Sequence, residues 1–184
     1  KLFKTLHSVA GTAIAVFFFI WFFTGLVLIY HQYPRLDEQQ QNHLREDIKA
    51  DSLLPIAYYT DSLADDTVQF LRVSQCLGQT LVTVGTADSS YTMCSDATAE
   101  RHSVTFTDVE DVASLWIGSK PARVDTLHER AQWILYERYE RAMPIYKFTY
   151  DDDEGHELFV SGKTGEVQQL TTRSQRIWAW LGAI

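Results

Sequence analysis

The sequence has few cysteines and no excess of positive charge, and it lacks the common cofactor and hydrolase motifs. Only two of its 184 residues are cysteine, and neither begins a Cys-x-x-Cys-His motif, which argues against covalently attached haem c. No Gly-x-Gly-x-x-Gly follows a predicted strand, and neither Gly-x-Ser-x-Gly nor His-Glu-x-x-His is present, so the chain carries no nucleotide-binding or hydrolase signature. Its net charge of -8 argues against a nucleic-acid partner, which would require a basic face.

A long apolar run near the start is the strongest positive signal. Residues 9–30 contain no charged side chain. As a helix they would measure roughly 33 Å, enough to cross a hydrocarbon core of about 30 Å. A secretory signal has a shorter apolar core and a small-residue cleavage site. We therefore predict a transmembrane helix within residues 1–34, with a buried helix of a soluble protein as the alternative.

The other end of the chain also becomes apolar. After Arg176 the sequence reads Ile-Trp-Ala-Trp-Leu-Gly-Ala-Ile, and tryptophans are enriched where helices enter a membrane. The chain also begins with Lys rather than Met. We expect residues 173–184 to start a second transmembrane helix, and the chain to be a piece of a longer protein with further transmembrane helices. The alternative is an amphipathic turn docked on the domain.

Charge and cysteine content favour an extracytoplasmic location for the middle of the chain. All 24 acidic residues, and all but two of the 16 Lys and Arg residues, follow the apolar run. The two cysteines, Cys76 and Cys94, lie in the same acidic region, where a disulfide would stabilise the fold by roughly 3 kcal/mol. Two unrelated buried thiols are the alternative. We expect a cytoplasmic N-terminus, a linker at residues 35–52 and an extracytoplasmic domain at residues 53–172.

Alternating apolar patterns and turn residues predict an α+β domain made of two helix-then-meander blocks. Thr-x-x-Glu capping boxes, which open helices, begin at Thr107 and Thr126. The first block comprises a broken helix in residues 53–64 and strands at 68–73, 81–84, 91–94 and 103–106. Helices at 107–116 and 127–138 follow, with strands at 145–150, 157–160 and 166–170.

The last block resembles the PepSY module, whose pattern is D-G-x-x-x-x-V followed by T-G-E-V. The matching positions are residues 154–160 (Glu-Gly-His-Glu-Leu-Phe-Val) and 164–167 (Thr-Gly-Glu-Val). Residues 6–11 (Leu-His-Ser-Val-Ala-Gly) and 24–25 (Thr-Gly) resemble the first helix of the PepSY-associated transmembrane family. The C-terminal residues resemble that family's return into the membrane.

This resemblance implies a protein of the bacterial inner membrane with several helices and a periplasmic PepSY-like region. Some members of the family are linked to iron uptake. Some are haem-containing reductases of ferric siderophores, in which histidines of membrane helices bind the haem. The resemblance therefore suggests haem b as a cofactor and a ferric siderophore as a partner, besides the lipid bilayer itself.

His7 is the first candidate haem ligand. On an ideal helix it shares a face with Gly11, Phe18, Phe22 and Gly25, and glycines allow a flat macrocycle or another helix to approach closely. Neutral imidazole is the usual axial ligand of b-type haem, and His7 matches the histidine at the start of the family's first helix. The alternative is an interfacial histidine that faces water.

His31 is the second candidate ligand. It lies roughly 36 Å from His7 along a helix and about 120° around it, so the two cannot bind one haem. They could serve two haems, one near each membrane surface, with partner ligands on other helices. The alternative is an interfacial cap beside Tyr30 and Tyr33. His128, Glu129, Arg130 and Trp133 form a weaker candidate for metal or siderophore contact, and Asp151–Glu154 a weaker one for a hard cation.

These features predict a haem-b electron-transfer protein that reduces an extracytoplasmic ferric siderophore, which would make it a ferric reductase. One alternative is a haem-free, membrane-anchored PepSY module that binds or regulates a partner. Another is a structural subunit of a larger membrane complex.

The membrane helix gives the first testable prediction. We expect the full chain to stay in the membrane pellet during a carbonate wash and to need detergent for extraction, because residues 9–30 would be embedded in lipid. Release into the carbonate supernatant without detergent would contradict the transmembrane assignment.

Overall fold

The computed structural model describes residues 1–43, 47–48, 51, 53–61, 67–95 and 104–182. The chain separates into two compact units. Unit 1 comprises residues 1–35 and 171–184, and unit 2 comprises residues 36–170.

Unit 1 is built on one long helix, α1 (Leu2–Tyr30). It is long and apolar enough to cross a membrane, and residues 2–23 are exposed along its whole circumference. Its threonine hydroxyls find partners within the helix: Thr12 Oγ1 donates to the Ser8 carbonyl at 2.9 Å and Thr24 Oγ1 to the Trp21 carbonyl at 2.9 Å. A hydroxyl that is satisfied in this way needs no water.

The second helix of unit 1, α5 (Arg173–Gly182), packs against the last turns of α1. Its N-terminus is capped by Thr172, whose Oγ1 accepts from the Gln175 backbone N–H at 3.3 Å. Gly182 lies against Leu28, and a Cβ at position 182 would stand only 2.6 Å from Leu28 Cδ2. Because Trp178 lies beside His31 and Gly182 beside Leu28, α5 runs antiparallel to α1.

The first part of unit 2 is a three-stranded antiparallel meander preceded by two short helices. Tyr59 is fully buried against this sheet; its hydroxyl accepts from the Leu54 backbone N–H at 2.9 Å, and its carbonyl accepts from the Tyr91 hydroxyl at 2.8 Å. The elements, in chain order, are α2 (Glu38–Asn42), α3 (Ile56–Thr60), β1 (Phe70–Cys76), β2 (Gln79–Gly85) and β3 (Ser90–Cys94).

The second part of unit 2 is a longer helix followed by a four-stranded antiparallel meander. Thr105 caps the helix, and Asp108 completes the capping box. The elements are α4 (Phe106–Ile117), β4 (Arg123–Leu127), a 3₁₀ helix (Glu137–Ala142), β5 (Ile145–Thr149), β6 (Glu157–Ser161) and β7 (Val167–Thr171), with the strands in sequential order across the sheet.

The core of this second part lies between α4 and one face of the sheet. Val109 and Ala113 of α4 are fully buried against Phe148, Leu158 and neighbouring residues. The Tyr150 hydroxyl donates to the Ala113 carbonyl at 2.7 Å, which ties the end of β5 to the helix. Burial raises the pKa of Tyr150, and the nearby Asp152 carboxylate raises it further, so this hydroxyl remains a donor.

The predicted α+β class is confirmed, with an apolar N-terminal helix and two antiparallel sheets. Each sheet follows a helix along the chain, as predicted. The strands expected near residues 68–73, 81–84, 91–94, 145–150, 157–160 and 166–170 are present with small shifts at their ends.

Two predicted elements are wrong. The strand expected at residues 103–106 is absent from its described part, because Thr105 instead caps α4 and Phe106 is its first residue. The helix expected at residues 127–138 does not form. Residues 123–127 pair with β5 instead, and Ala131 and Ile134 form an isolated bridge in the long connection that follows.

Phe148 offers a direct test of the α4–sheet core. We expect Phe148→Ala to lower the free energy of unfolding of unit 2 by about 3–5 kcal/mol, because the ring is fully buried and leaves a cavity. Urea unfolding of the detergent-solubilised chain, followed by tryptophan fluorescence, measures this. The matched control is Leu115→Ala on α4, where the side chain is 58% exposed and the loss should stay below about 1 kcal/mol. Equal losses for the two variants would contradict this packing.

Candidate functional site

His7 lies at the edge of a shallow groove along the first half of α1. Small side chains form the floor, and apart from the adjacent residues and backbone of the helix itself, no atom lies within 4 Å of the place where a Cβ on Gly11 would stand. The groove is open, so a planar group or another helix could lie flat against it. Its lining residues are His7, Ser8, Gly11, Thr12, Ala15, Val16 and Phe19.

His31 lies directly after the last residue of α1 and stacks on Trp178 of α5. The two ring centroids are 4.2 Å apart and the planes differ by only 5°. The backbone N–H of His31 donates to the Val27 carbonyl at 2.8 Å, so the helix itself holds this residue in place. One face of the imidazole is therefore covered by an indole, and the ring plane is fixed by α5.

The structure does not bring His7 and His31 together. They lie at opposite ends of one uninterrupted helix, separated by roughly 36 Å of helix rise. The sequence did not predict the stacking of His31 on Trp178, because the two residues are far apart in the chain. The paired tryptophans of residues 178–180 were visible in the sequence, but their register against α1 was not.

The two cysteines lie on the two outer strands of the three-stranded sheet. Cys76 on β1 pairs with Gln79 of β2, and Cys94 on β3 pairs with Leu81 of the same strand. Strand β2 therefore lies between them, and two strand spacings amount to roughly 9.5 Å. A disulfide requires Cα atoms within about 7 Å. This register does not bring Cys76 and Cys94 within bonding distance, which argues against the predicted bridge.

The residues predicted to open a helix near position 128 lie in an irregular connection instead. Arg130 Nε pairs with Glu140 Oε1 at 3.1 Å, Trp133 is buried, and His128 and Glu129 are exposed. In the described ranges no group of three or more His, Cys, Asp or Glu residues that could hold a metal ion is found.

The acidic turn between β5 and β6 brings the His156 ring close to two carboxylates. His156 Nδ1 lies 2.6 Å from Asp152 Oδ2, and its Nε2 lies 3.3 Å from Glu154 Oε2. The His156 backbone N–H also donates to Asp152 Oδ1 at 2.9 Å. Of the other histidines, His43 meets Trp116 edge to face, with the ring centroids 5.1 Å apart. His102 lies outside the described residues.

These contacts change the acidity of Asp152. Partial burial favours the neutral form, but hydrogen bonds from the His156 ring and backbone outweigh it and hold the pKa of Asp152 below its usual value. The spacing of four residues between Asp152 and His156 was the available sequence signal. Because the turn joins β5 to β6, the contacts between Asp152 and His156 stabilise that hairpin.

No family model, no curated protein and no solved structure matches this chain.

The lowered pKa of Asp152 predicts a pH-dependent contribution to stability. It is present above the unfolded-state pKa of about 3.9 and lost as the pH falls through the lower folded-state value. We expect Asp152→Asn to reduce the free energy of unfolding by about 1 kcal/mol at pH 7, with the difference shrinking below about pH 4. Urea unfolding at several pH values measures this, with exposed Asp153→Asn as the control. A difference for Asp152→Asn that does not change with pH would contradict the argument.

Proposed function

We propose that this chain belongs to a bacterial inner-membrane electron-transfer protein that carries haem b and reduces a ferric acceptor outside the cytoplasm. In this proposal α1 spans the membrane, α5 begins a second membrane helix, and unit 2 is a periplasmic PepSY-like domain.

The exposed apolar surface of α1 supports its placement in lipid. Large side chains such as Phe17 (72% exposed) and Trp21 (69% exposed) project from it on several sides. Water-soluble proteins rarely leave an apolar surface of this size uncovered. The threonine hydroxyls of α1 donate to helix carbonyls, which suits a medium without water.

The packing of α5 supports its return into the membrane. It runs antiparallel to α1, and Ala179 and Gly182 are buried at the contact between the helices. Close approach through small residues is the usual way in which membrane helices associate. Trp178 and Trp180, in the second half of α5, suit the interface between lipid and water.

The form of unit 2 supports the PepSY-like assignment and the periplasmic location. Helix α3 precedes a three-stranded meander, and α4 precedes a four-stranded one, so one helix-then-meander plan occurs twice. The segments that resemble the PepSY pattern lie in the end of the β5–β6 turn, β6, the β6–β7 turn and the start of β7. All the acidic residues lie after α1, and a large acidic domain can be exported whatever its charge.

The surroundings of the two histidines are compatible with haem. At His7, the small side chains of Gly11 and Ala15 leave the helix surface open beside the imidazole. At His31, Trp178 covers one ring face but leaves the edges that carry the nitrogen atoms uncovered by that contact. His7 and His31 would each supply one axial ligand, and another membrane helix would supply the second. Haem b, when bound, supplies one-electron chemistry.

One observation carries this proposal: a histidine stands at each end of a single helix of membrane length. Two redox centres held in this way would lie near opposite surfaces of the bilayer, which suits the movement of electrons outward to an extracytoplasmic acceptor. Trp178 would fix the orientation of the outer imidazole, and the open groove beside His7 would leave room for a macrocycle against the inner one.

A second function is favoured by the same groove. A helix from a partner subunit would fit the small residues beside His7 as well as a macrocycle would. In that case the chain is a haem-free anchor, and unit 2 binds or regulates another protein, or the chain is a structural subunit of a larger membrane complex.

The proposal predicts a coloured protein. We expect the full chain, purified in detergent together with its natural membrane partners, to show a Soret band that shifts on reduction with dithionite. His7→Ala and His31→Ala should each lower haem content by about half, because each removes an axial ligand from one of two haems.

The control is His128→Ala, which removes an exposed histidine of unit 2 and should leave the spectrum unchanged. A folded but colourless preparation would overturn the haem proposal and favour the binding module. A defined set of co-purifying subunits without haem would favour the structural role.

A further inference from the structure

The connection between β4 and β5 presents an arginine that packs against two neighbouring tyrosine rings. The Arg138 guanidinium carbon lies 4.8 Å from the ring centroid of Tyr139 and 5.2 Å from that of Tyr136. Its Nη2 donates to the Tyr139 hydroxyl at 2.9 Å. Tyr139 is buried and anchors the group, whereas Tyr136 is 55% exposed. The guanidinium is thus fixed in position at the surface before any ligand arrives.

The 3₁₀ helix places a second arginine beside the first. Side chains three residues apart eclipse each other in a 3₁₀ helix, so Arg138 and Arg141 lie on the same side of it. Glu137 and Glu140 are likewise three residues apart and lie on a different side. Glu140 is already paired with Arg130 at 3.1 Å. The short helix therefore separates its basic face from its acidic one.

The turn between β6 and β7 brings a third cation to this place. Lys163 Nζ donates to the Arg141 carbonyl at 3.2 Å. The turn is attached to the end of the 3₁₀ helix, because Ser161 Oγ donates to the Ala142 carbonyl at 2.8 Å and accepts from the Lys163 backbone N–H at 3.2 Å. We name Tyr136, Arg138, Arg141 and Lys163 the basic cluster.

These cations differ from most others in unit 2. Four basic residues of the described part form ion pairs with carboxylates, namely Arg72, Arg123, Arg130 and Lys147. Apart from Lys120, the basic residues of the described part of unit 2 that form no ion pair with a carboxylate are Arg138, Arg141 and Lys163. In a strongly acidic chain, like charges brought together without carboxylate partners favour a ligand that is itself anionic.

We propose that the basic cluster binds an oxygen-rich anionic ligand, with Arg138 and Arg141 donating to carboxylate or phenolate oxygens and the Tyr136 ring contacting a flat part of the ligand. If the proposed function holds, on which this identification rests, the ligand is the ferric acceptor. The acceptor is then an anionic ferric chelate built from carboxylates or catecholates, rather than a neutral hydroxamate complex.

Ferric citrate is a suitable anionic probe, and ferric tris(acetohydroxamate) is a neutral chelate of the same metal. We expect isothermal titration of the oxidised full chain in detergent to show ferric citrate binding, at least tenfold tighter than the neutral chelate. Arg138→Gln and Arg141→Gln should each weaken ferric citrate binding about tenfold, because each removes charge-assisted hydrogen bonds. The affinity should also fall as salt is added.

The matched control is Arg123→Gln, which removes an exposed arginine of β4 that is paired with Asp125 at 2.7 Å. The affinity of this variant for ferric citrate should stay within about twofold of the affinity of the unmodified chain. Arg141→Gln keeps the Arg138–Tyr139 hydrogen bond intact, so it tests ligand binding even if Arg138→Gln does not fold. A thermal unfolding curve of each variant shows whether it is folded. Equal binding of both chelates, or unchanged affinity in Arg141→Gln, would overturn the inference. This binding measurement does not depend on haem, so citrate binding to a colourless preparation would reject the proposed function alone. A coloured preparation that fails to bind would reject the cluster alone.

Discussion

The apolar surface of α1 is the constraint on which the rest of the structure depends. Residues 2–23 are exposed on every side of the helix, and each large apolar side chain transferred out of water contributes roughly 2 kcal/mol. Water-soluble proteins rarely leave an apolar surface of this size uncovered. This surface is what a helix that crosses a membrane would present, and α1 is long and apolar enough to do so. The acidic α+β unit, by contrast, has its own two cores and needs no such covering.

The sequence predicted the fold where local pattern and tertiary packing agree. The β5–β6–β7 meander has alternating strands, an acidic turn and a Gly-containing turn, and it forms close to the expected bounds. The sequence misled at residues 123–138, where the Thr126–Glu129 spacing is typical of a capping box. Pairing of Val124 and Leu127 with β5 outweighs that local preference. Likewise, Thr105 with Asp108 caps α4, a more N-terminal start than the Thr107–Glu110 pair suggested.

The candidate sites were predictable to different degrees for a physical reason. His7 and His31 could be chosen from sequence because their positions at the two ends of an apolar run follow from helix rise alone. The stacking of His31 on Trp178 and the clamping of Arg138 by Tyr136 and Tyr139 depend on the packing of one element on another, or on a 3₁₀ rather than an α-helical turn. Hydrophobic periodicity carries no signal for either arrangement.

The antiparallel contact with α5 has a consequence for the mechanics of α1. Within unit 1, Gly182 and Trp178 hold only the last two turns of the long helix, at Leu28 and His31. The first five turns are exposed on every side in the described part of the chain, and the Thr12 hydroxyl there is bonded to the Ser8 carbonyl of the same helix. The direction in which His7 faces around the helix axis is therefore fixed, within unit 1, by the contacts at the opposite end of α1. A molecule that binds in the groove beside His7 would add the first constraint at the near end.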